Sequence, residues 1–429
     1  MYSNLLGKKC KRVNKFMEFF TTINSVYVFA GSMLLGLVGG VLGVFAVLRK
    51  QGLVGDALAH SALPGIAVAF LIMESKFLPG LLLGALVSGL IGSLCIYLLV
   101  RYTKIKMDSA MATILSVFFG VGILLLTYIQ KLPLASQSGL ESFLFGKASS
   151  ILREDLYFII SAFSFVLVLV LLFWKELKLF TFDHEYARIS GFKREWLEFL
   201  FMTVLVVSVV MSLQLVGVVL TAAVFITPAV SALLWSSKLL SVVLLSAFFG
   251  MASGMGGASV SMFSSKMPTG PVIVVILFLF FFFSFLFAPK KGLVWKSVKS
   301  YFYSRKISEE NLLGTFYRWC EGGDETWTKR DLKSASIDFL FLKRLLAKGF
   351  VKKVDGIYSF TNEGFVAAAS VIEKHRLWEC YLVNRMKIDP SKVHKNAESI
   401  EHILTDELVS ELKMILGDPV QDPHGKPIT

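Results

Sequence analysis

The sequence predicts an all-α polytopic membrane domain of about eight or nine transmembrane helices. A soluble winged helix-turn-helix domain and a further helical domain follow it. Three observations carry this prediction. The chain has 429 residues, 55% of them hydrophobic, and a mean hydropathy of +0.66, too apolar for a soluble globular protein. Apolar runs long enough to cross a bilayer recur as far as Val272–Ala288. At Pro289 the chain then changes character, passing through a basic run into a mixed polar segment that carries histidines and glutamates at helical spacing. The expected division is an N-terminal tail at 1–22, a transmembrane domain at 23–289 and a basic linker at 290–306. A winged helix-turn-helix follows at 307–362 and a helical domain at 363–429.

The candidate spans are 24–48, 55–73, 78–100, 108–128, 155–175, 198–220, 222–236, 238–258 and 267–288. Positive charge marks the cytoplasmic side of such helices. Arg49 and Lys50, Arg101–Lys106, Lys175–Arg194, Lys238 and Lys290–Lys306 all fall on one side of this arrangement. The chain therefore reads as a multi-pass protein of the inner membrane with its C-terminal domain in the cytoplasm. An odd number of spans places the N-terminus outside, against the preference of Lys8, Lys9, Lys11, Arg12 and Lys15. The seventh span is short and contains Thr227-Pro228, the pattern of a broken or re-entrant helix. No cleavable signal peptide is expected, because Met1–Lys15 is polar and basic and the first apolar run continues for a full span.

The formal net charge of +13 sits in inter-span segments and in the soluble part, where it suits nucleic acid or an anionic membrane surface. Cys10, Cys95, Cys320 and Cys380 form no CxxC pair, which argues against a disulfide framework or a zinc ribbon and for a reducing compartment. Glycines crowd two spans, Gly31, Gly36, Gly39, Gly40 and Gly43 in the first and Gly250, Gly254, Gly256 and Gly257 around the eighth. They allow close helix approach.

An ionisable residue inside a span is costly unless paired or solvated. Asp56 and His60, in the run Gly55–Gly65, are four residues apart and share a helix face. Two readings stand: Asp56 favours the helix start while His60 packs, or the pair binds a divalent cation or relays protons.

In the soluble part, helices are expected at Glu309–Cys320 and, one short and one longer, within Thr328–Lys348. Two β runs in Phe350–Phe360 flank Asp355-Gly356, a hairpin turn. This order is that of a winged helix-turn-helix. Lys343, Arg344, Lys352 and Lys353 would meet DNA phosphates, or the same face would contact a protein. A helix at about 361–385 carries His375 and Glu379, and His394, Glu398, Glu401 and His402 follow at i, i+4, i+7 and i+8. One reading is a solvated polar face. The other is a metal site of oxygen and imidazole donors without thiolate, which suits Mn²⁺ or Fe²⁺ at least as well as Zn²⁺.

Several motifs in order resemble the permease subunits of ABC importers for zinc, manganese and iron. They are Gly43–Arg49 with Gly55-Asp56, His60 and Leu63-Pro64-Gly65, then Asp183–Gly191, Val216–Leu220, Ala222–Ala229 and Gly270-Pro271. The resemblance covers about residues 20–290. It implies that Asp56 and His60 belong to the ion path and that Asp183, Glu185, Ala187 and Gly191 lie in the segment that docks on the ATPase. The chain carries no GxxxxGK[ST] phosphate loop. It is not expected to bind nucleotide or to be an enzyme, so a cytoplasmic ABC ATPase must supply the energy. An extracytoplasmic metal-binding protein and a second permease subunit, the same or a sister, complete the implied assembly.

The tail resembles metal-dependent repressors of the diphtheria toxin repressor type through Thr361-x-x-Gly364, His375–Glu379, Val393-His394-x-x-x-Glu398-x-x-Glu401-His402 and Asp422–Pro427. The resemblance implies that Glu398, Glu401 and His402 bind the activating metal and that His375, Glu379 and His394 form a second or coupled site. It also implies homodimerisation and operator DNA as a partner. Glutamate rather than cysteine at 398 leans towards manganese. Asn311 stands where that family has a metal-binding Asp or Met in its first helix. The segment 332–349 is shorter than usual and Ile337–Leu342 is unusually apolar, which puts DNA binding in question. The family's optional SH3-like third domain is not expected. The implied whole is a metal permease fused to a metal-responsive repressor, similar to fusions of chlamydia-like bacteria. The basic, aromatic run after Pro289 motivates a separate hypothesis, that proteolysis in about 289–310 releases the tail. The alternative is a tail that senses metal and inhibits transport in cis without touching DNA.

Overall fold

The computed structural model describes residues 23–75, 77–132, 146, 153–182, 194–263, 267–335, 337–390, 393 and 400–428. It divides into two compact units, 1–295 and 296–429.

The first unit is helical: α1 Ile23–Leu48, α2 Val54–Met73, α3 Leu78–Tyr102, α4 Met107–Gln130, α5 Arg153–Leu172, α6 Trp174–Phe182, α7 Arg194–Leu215, α8 Val218–Trp235, α9 Leu239–Phe263 and α10 Thr269–Phe287. Among the described residues nine helices are long and apolar enough to cross a membrane, all but the nine-residue α6. They match the spans read from the sequence in number and order, although α7 ends at Leu215, short of the expected 220, and α8 begins at Val218 and not 222. The seventh differs in detail. Val218–Trp235 is one continuous helix with Pro228 inside it, so the expected break is absent. Proline at that point removes one hydrogen bond, and neighbouring helices in a membrane bundle tolerate it. At 18 residues the helix is about 27 Å long, close to the bilayer core.

Helices α1, α8 and α9 pack together, and α2 packs on α3 and α4. Small residues permit this closeness. A Cβ built at Gly36 would overlap the carbonyl oxygen of Gly250, and one at Gly250 would overlap that of Gly36. One turn further along, Ser246 Oγ donates to Gly40 O at 2.7 Å across the same seam. Gly36→Leu must therefore separate α1 from α9, and overpacking of this kind costs about 1–3 kcal/mol or more. The variant is expected to lose its monodisperse peak in fluorescence-detected size exclusion from membranes; a wild-type profile would show that the seam is loose. Helix α10 is the most apolar span, with mean hydropathy 2.8, and Phe278, Phe282 and Phe283 on it are half exposed or more. That is the composition of a lipid-facing helix.

In the second unit α11, Leu293–Glu321, leads into β1 Thr326–Thr328, α12 Lys329–Ser334, α13 Phe339–Ala347, β2 Val351–Val354, β3 Ile357–Phe360, α14 Asn362–Asn384 and α15 Asp406–Leu416. The expected first helix began at Glu309, and the expected basic linker covers residues that are helical from Leu293. No Gly or Pro falls between Gly292 and Gly314, so nothing interrupts the helix over that stretch. Strands pair antiparallel in the order β1-β3-β2, and the β2–β3 hairpin turns at Asp355 (φ 49°) and Gly356 (φ 83°), as the Asp-Gly pair requires. Phe316 of α11 stacks on Trp327 of β1 at 4.3 Å, with Leu312, Leu332, Leu345 and Val351 buried around them. This is a winged helix-turn-helix core. Thr361 caps α14, accepting from Gly364 N at 3.1 Å and donating to Gly349 O at 2.6 Å. Gly364 is required because a Cβ there would overlap the Phe350 carbonyl. These two contacts account for the Thr361-x-x-Gly364 motif.

Candidate metal centre and ion path

The cap at Thr361 sets the phase of α14 so that His375, Arg376, Glu379 and Cys380 face inward, each 3% exposed or less. Buried charges need partners. His375 Nε2 lies 3.2 Å from Glu379 Oε1, and His375 Nδ1 pairs with Glu401 Oε2. Burial pulls the imidazole towards neutrality, but the Glu379 and Glu401 carboxylates outweigh it and hold His375 up to about 9. Glu401 also presents Oε1 at 3.6 Å from His402 Nε2, while His402 Nδ1 bonds Glu310 Oε2 at 2.7 Å. A line of alternating carboxylates and imidazoles thus joins α14, the 401–403 turn and α11.

Glu310 was not anticipated. Asn311, the residue expected at this place in the first helix, is exposed about 100° round the helix from it. Helical spacing holds the reason: Glu310 shares its face with Leu313, Gly314 and Tyr317, all buried, whereas Asn311 shares its face with Thr315 and Arg318.

The donor set, carboxylates and imidazoles, is of the kind that divalent transition-metal ions take. His402 Nε2 is buried with no hydrogen-bond partner among the described residues. Its other nitrogen is engaged by a carboxylate, the arrangement that orients a metal-binding histidine. Among the described residues no three His, Cys, Asp or Glu converge as a preformed cage; the candidates pair with one another instead. His394 and Glu398 lie outside the described residues. Cys380 is not a ligand in this arrangement. Burial, then the Asp422 and Glu379 carboxylates, push its thiol up to about 11, so it stays protonated and points to Gln421 O at 3.5 Å.

The Asp422–Pro427 motif has a structural task. Arg376 donates two hydrogen bonds of 2.7 Å to the carboxylate of Glu321 and one of 2.6 Å to Pro427 O. Asp422 Oδ1 accepts from His424 N and Lys426 N at 2.8 Å each. The C-terminal turn is thereby fastened to α11 and α14.

The face expected to read DNA is less basic than its sequence. Arg344 is half-buried and lies 3.5 Å from Glu309 Oε1, and Lys348 pairs with the same carboxylate. Lys343, Lys352 and Lys353 are exposed, and so is Leu340, at 53%.

In the membrane unit, Asp56 sits in the first turn of α2 without capping it. Its Oδ1 is 3.4 Å from His60 Nε2. The His60 ring meets Phe119 of α4 edge-on at 4.7 Å, and its Nδ1 is buried without a hydrogen-bond partner among the described residues. The structure therefore brings the expected pair together. Asp183, Glu185, Ala187 and Gly191 lie outside the described residues. The flanking elements are tied by Arg49, which the sequence marked only as a cytoplasmic-side charge and the end of the Gly43–Arg49 motif. Its guanidinium lies 4.3 Å from the Phe180 ring centre and 4.4 Å from that of Phe201, with Glu198 at 3.9 Å.

Residues 23–288 match the ABC 3 transport family. The chain belongs to that family. Residues 361–429 match the iron dependent repressor, metal binding and dimerisation domain, a match that begins at the Thr361 cap. The manganese transport system membrane protein MntC of Bacillus subtilis (strain 168) is 41% identical over 371 residues, 85% of each chain. A probable metal transport system membrane protein of Chlamydia pneumoniae is 31% identical over 414 residues, 89% of this chain and 91% of that one. Among solved structures, PsaBC from Streptococcus pneumoniae in complex with Fab is 29% identical with a TM-score of 0.58, covering 65% of this chain and 97% of that one. The ABC 3 match ends at residue 288, just past the end of α10, and the repressor-domain match begins at residue 361.

A pH prediction arises from His375. Its folded value of about 9 lies above the ordinary 6.5, so folding favours the protonated form. The stabilisation is complete below about 6.5 and is lost as pH rises through about 9, amounting to about 3 kcal/mol. Urea midpoints of residues 296–429 in chelator should fall across this window, and less so in His375→Gln. An equal fall in both proteins would assign the effect to other groups.

Proposed function

We propose that this chain is the permease subunit of an ATP-driven importer of a divalent transition metal, manganese or iron, with zinc the alternative cargo. Its C-terminal domain is a metal-responsive DNA-binding repressor. The observation that carries this is the line Glu379–His375–Glu401–His402–Glu310, buried as far as His402, in a chain whose residues 23–288 match the ABC 3 transport family. The named cargo of the Bacillus subtilis relative, manganese, supports the same ion. Asp56 and His60 line the ion path. Residues 183–191 receive the stroke of a cytoplasmic ABC ATPase, an extracytoplasmic binding protein delivers the ion, and a second permease subunit closes the path. The chain sits in the inner membrane with its C-terminal domain in the cytoplasm.

In the sensor, Glu401, His402 and Glu310, with Glu398, would hold the activating Mn²⁺ or Fe²⁺, and His375, Glu379 and His394 a coupled site. Bound metal supplies positive charge that holds these carboxylates together. Glu310 and His402 then link α11 to the 401–403 turn, so metal steadies the winged helix against the dimerising domain. Lys343, Arg344, Lys352 and Lys353 meet operator phosphates in the dimer. Proteolysis within 289–310 would release the tail to reach the chromosome; immunoblots of native cells showing only full-length protein would count against release.

A second reading draws on the helix-turn-helix face. With Arg344 paired to Glu309 and Leu340 exposed, that face suits a protein contact, and the tail would inhibit transport in cis when metal is plentiful. A mobility-shift assay of residues 296–429 on the DNA upstream of the chain's own operon, with and without Mn²⁺ or Fe²⁺, separates the two. A metal-dependent shift supports the repressor. No shift, together with metal-dependent inhibition of uptake, supports the cis sensor.

A further inference from the structure

The first half of α11 is an amphipathic helix whose apolar face has no partner among the described residues. Val294, Trp295, Val298, Tyr301 and Phe302 recur at i, i+1, i+4, i+7 and i+8 and so form one stripe. All five are exposed, Trp295 by 55% and Phe302 by 64%. The same stripe continues into the second half of the helix as Leu312, Leu313 and Phe316, and there it is buried in the winged-helix core. One helix thus has a covered half and an uncovered half.

We propose that the uncovered half, residues 293–306, lies in the headgroup region of the anionic cytoplasmic leaflet, with the Val294–Phe302 stripe turned into the lipid. Three observations select this occupant. Between Ala288 and Ser308 stand Lys290, Lys291, Lys296, Lys299, Arg305 and Lys306 and no acidic residue, a charge that complements anionic lipid. A second copy of the same stripe would bring the same six cations against it, and like charges oppose that pairing. Only Ala288–Gly292 separate this helix from the end of α10 at Phe287, so its first turn starts within reach of the bilayer surface.

The side chains also suit that depth. Trp and Tyr are the residues that settle at a membrane interface. Arg305 lies over the Tyr301 ring at 3.7 Å, which keeps a cation beside the apolar face. Ser297, Ser300 and Ser304 fall on the opposite side of the helix, where water would be. This is the pattern of an interfacial helix. The inference rests on α10 being the last span and is independent of whether the tail binds DNA or which metal it senses.

The test is hydrogen–deuterium exchange on the full chain in nanodiscs of phosphatidylcholine alone and in nanodiscs rich in phosphatidylglycerol. Amides 293–306 are expected to exchange at least about ten-fold more slowly in the anionic discs, and high salt should narrow the difference. Joint replacement of Lys296, Lys299, Arg305 and Lys306 by Gln should abolish it, while Arg at the three lysines should retain it. Equal exchange in the two lipids, or equal protection in detergent, would overturn the proposal, the latter by pointing to a protein cover. Protection that appears only when duplex DNA is added would overturn it in favour of nucleic-acid phosphate.

Discussion

Alanine at Glu401 should weaken metal binding by the C-terminal domain by about 100-fold or more. Even outer partners of a metal site cost 10–100-fold when removed, and this carboxylate stands between His375 and His402. Glu401 is 5% exposed, so its loss also strips a counter-charge from the protonated His375, and leaving a buried charge unpaired costs about 3–5 kcal/mol. Two readouts therefore move together. Calorimetric titration with Mn²⁺ should lose its transition, and the metal-free domain should unfold at lower urea. Glu310→Gln separates the terms, because it keeps the side-chain shape while weakening the carboxylate at His402. It should lower metal affinity about ten-fold with little change in urea midpoint. If Glu310→Gln bound metal like the wild type, Glu310 would be only a structural partner of His402.

Asp56→Ala or His60→Ala should reduce uptake of radiolabelled manganese to background in cells whose own importers are deleted. The two side chains meet at 3.4 Å, and the second ring nitrogen of His60 has no hydrogen-bond partner among the described residues, so the pair has donor capacity to spare for an ion. A purely helical role for Asp56 predicts something smaller. Removing a carboxylate from a first turn costs about 0.3–1 kcal/mol of interaction with the helix dipole, and transport would survive it. Surface expression of each variant, measured alongside, distinguishes a lost path from a lost protein. Near-normal uptake in Asp56→Ala would assign that residue to the helix start.

Much of this architecture was legible in the chain because it rests on local periodicity. A run such as Leu78–Tyr102 needs no partner to declare itself a span, and Asp355-Gly356 fixes a hairpin by backbone conformation alone. Thr361 and Gly364 were visible as a motif, although their reason, the approach of the Phe350 carbonyl, is tertiary. The departures share one cause. Pro228 reads locally as a breaker, but the surrounding bundle holds Val218–Trp235 in one helix. Residues 290–306 read as a linker by charge, yet their apolar spacing sustains a helix from Leu293.

The site shows the same division. His375 and Glu379 are paired by helical spacing, and the sequence suffices for them. Glu310 meets His402 across 92 positions, and only the fold brings them together. Arg344 is one of the basic residues expected to meet DNA, but the fold sets Glu309 3.5 Å from it. Long-range pairing of charges is the part that composition and periodicity do not encode.

One polypeptide joins an ABC 3 transport family region to a domain of the iron dependent repressor, metal binding and dimerisation type, and we propose that both serve the same ion. The most direct test uses one preparation: the chain with its ATPase and binding protein in sealed vesicles, supplied in turn with manganese, iron or zinc. Imported metal and metal retained by the protein are measured on the same sample. The imported ion is expected to be the one retained as well, and Glu401→Ala is expected still to import it while retaining much less. An ion that is imported but never retained, or equal retention in Glu401→Ala, would contradict the proposal of a shared ion.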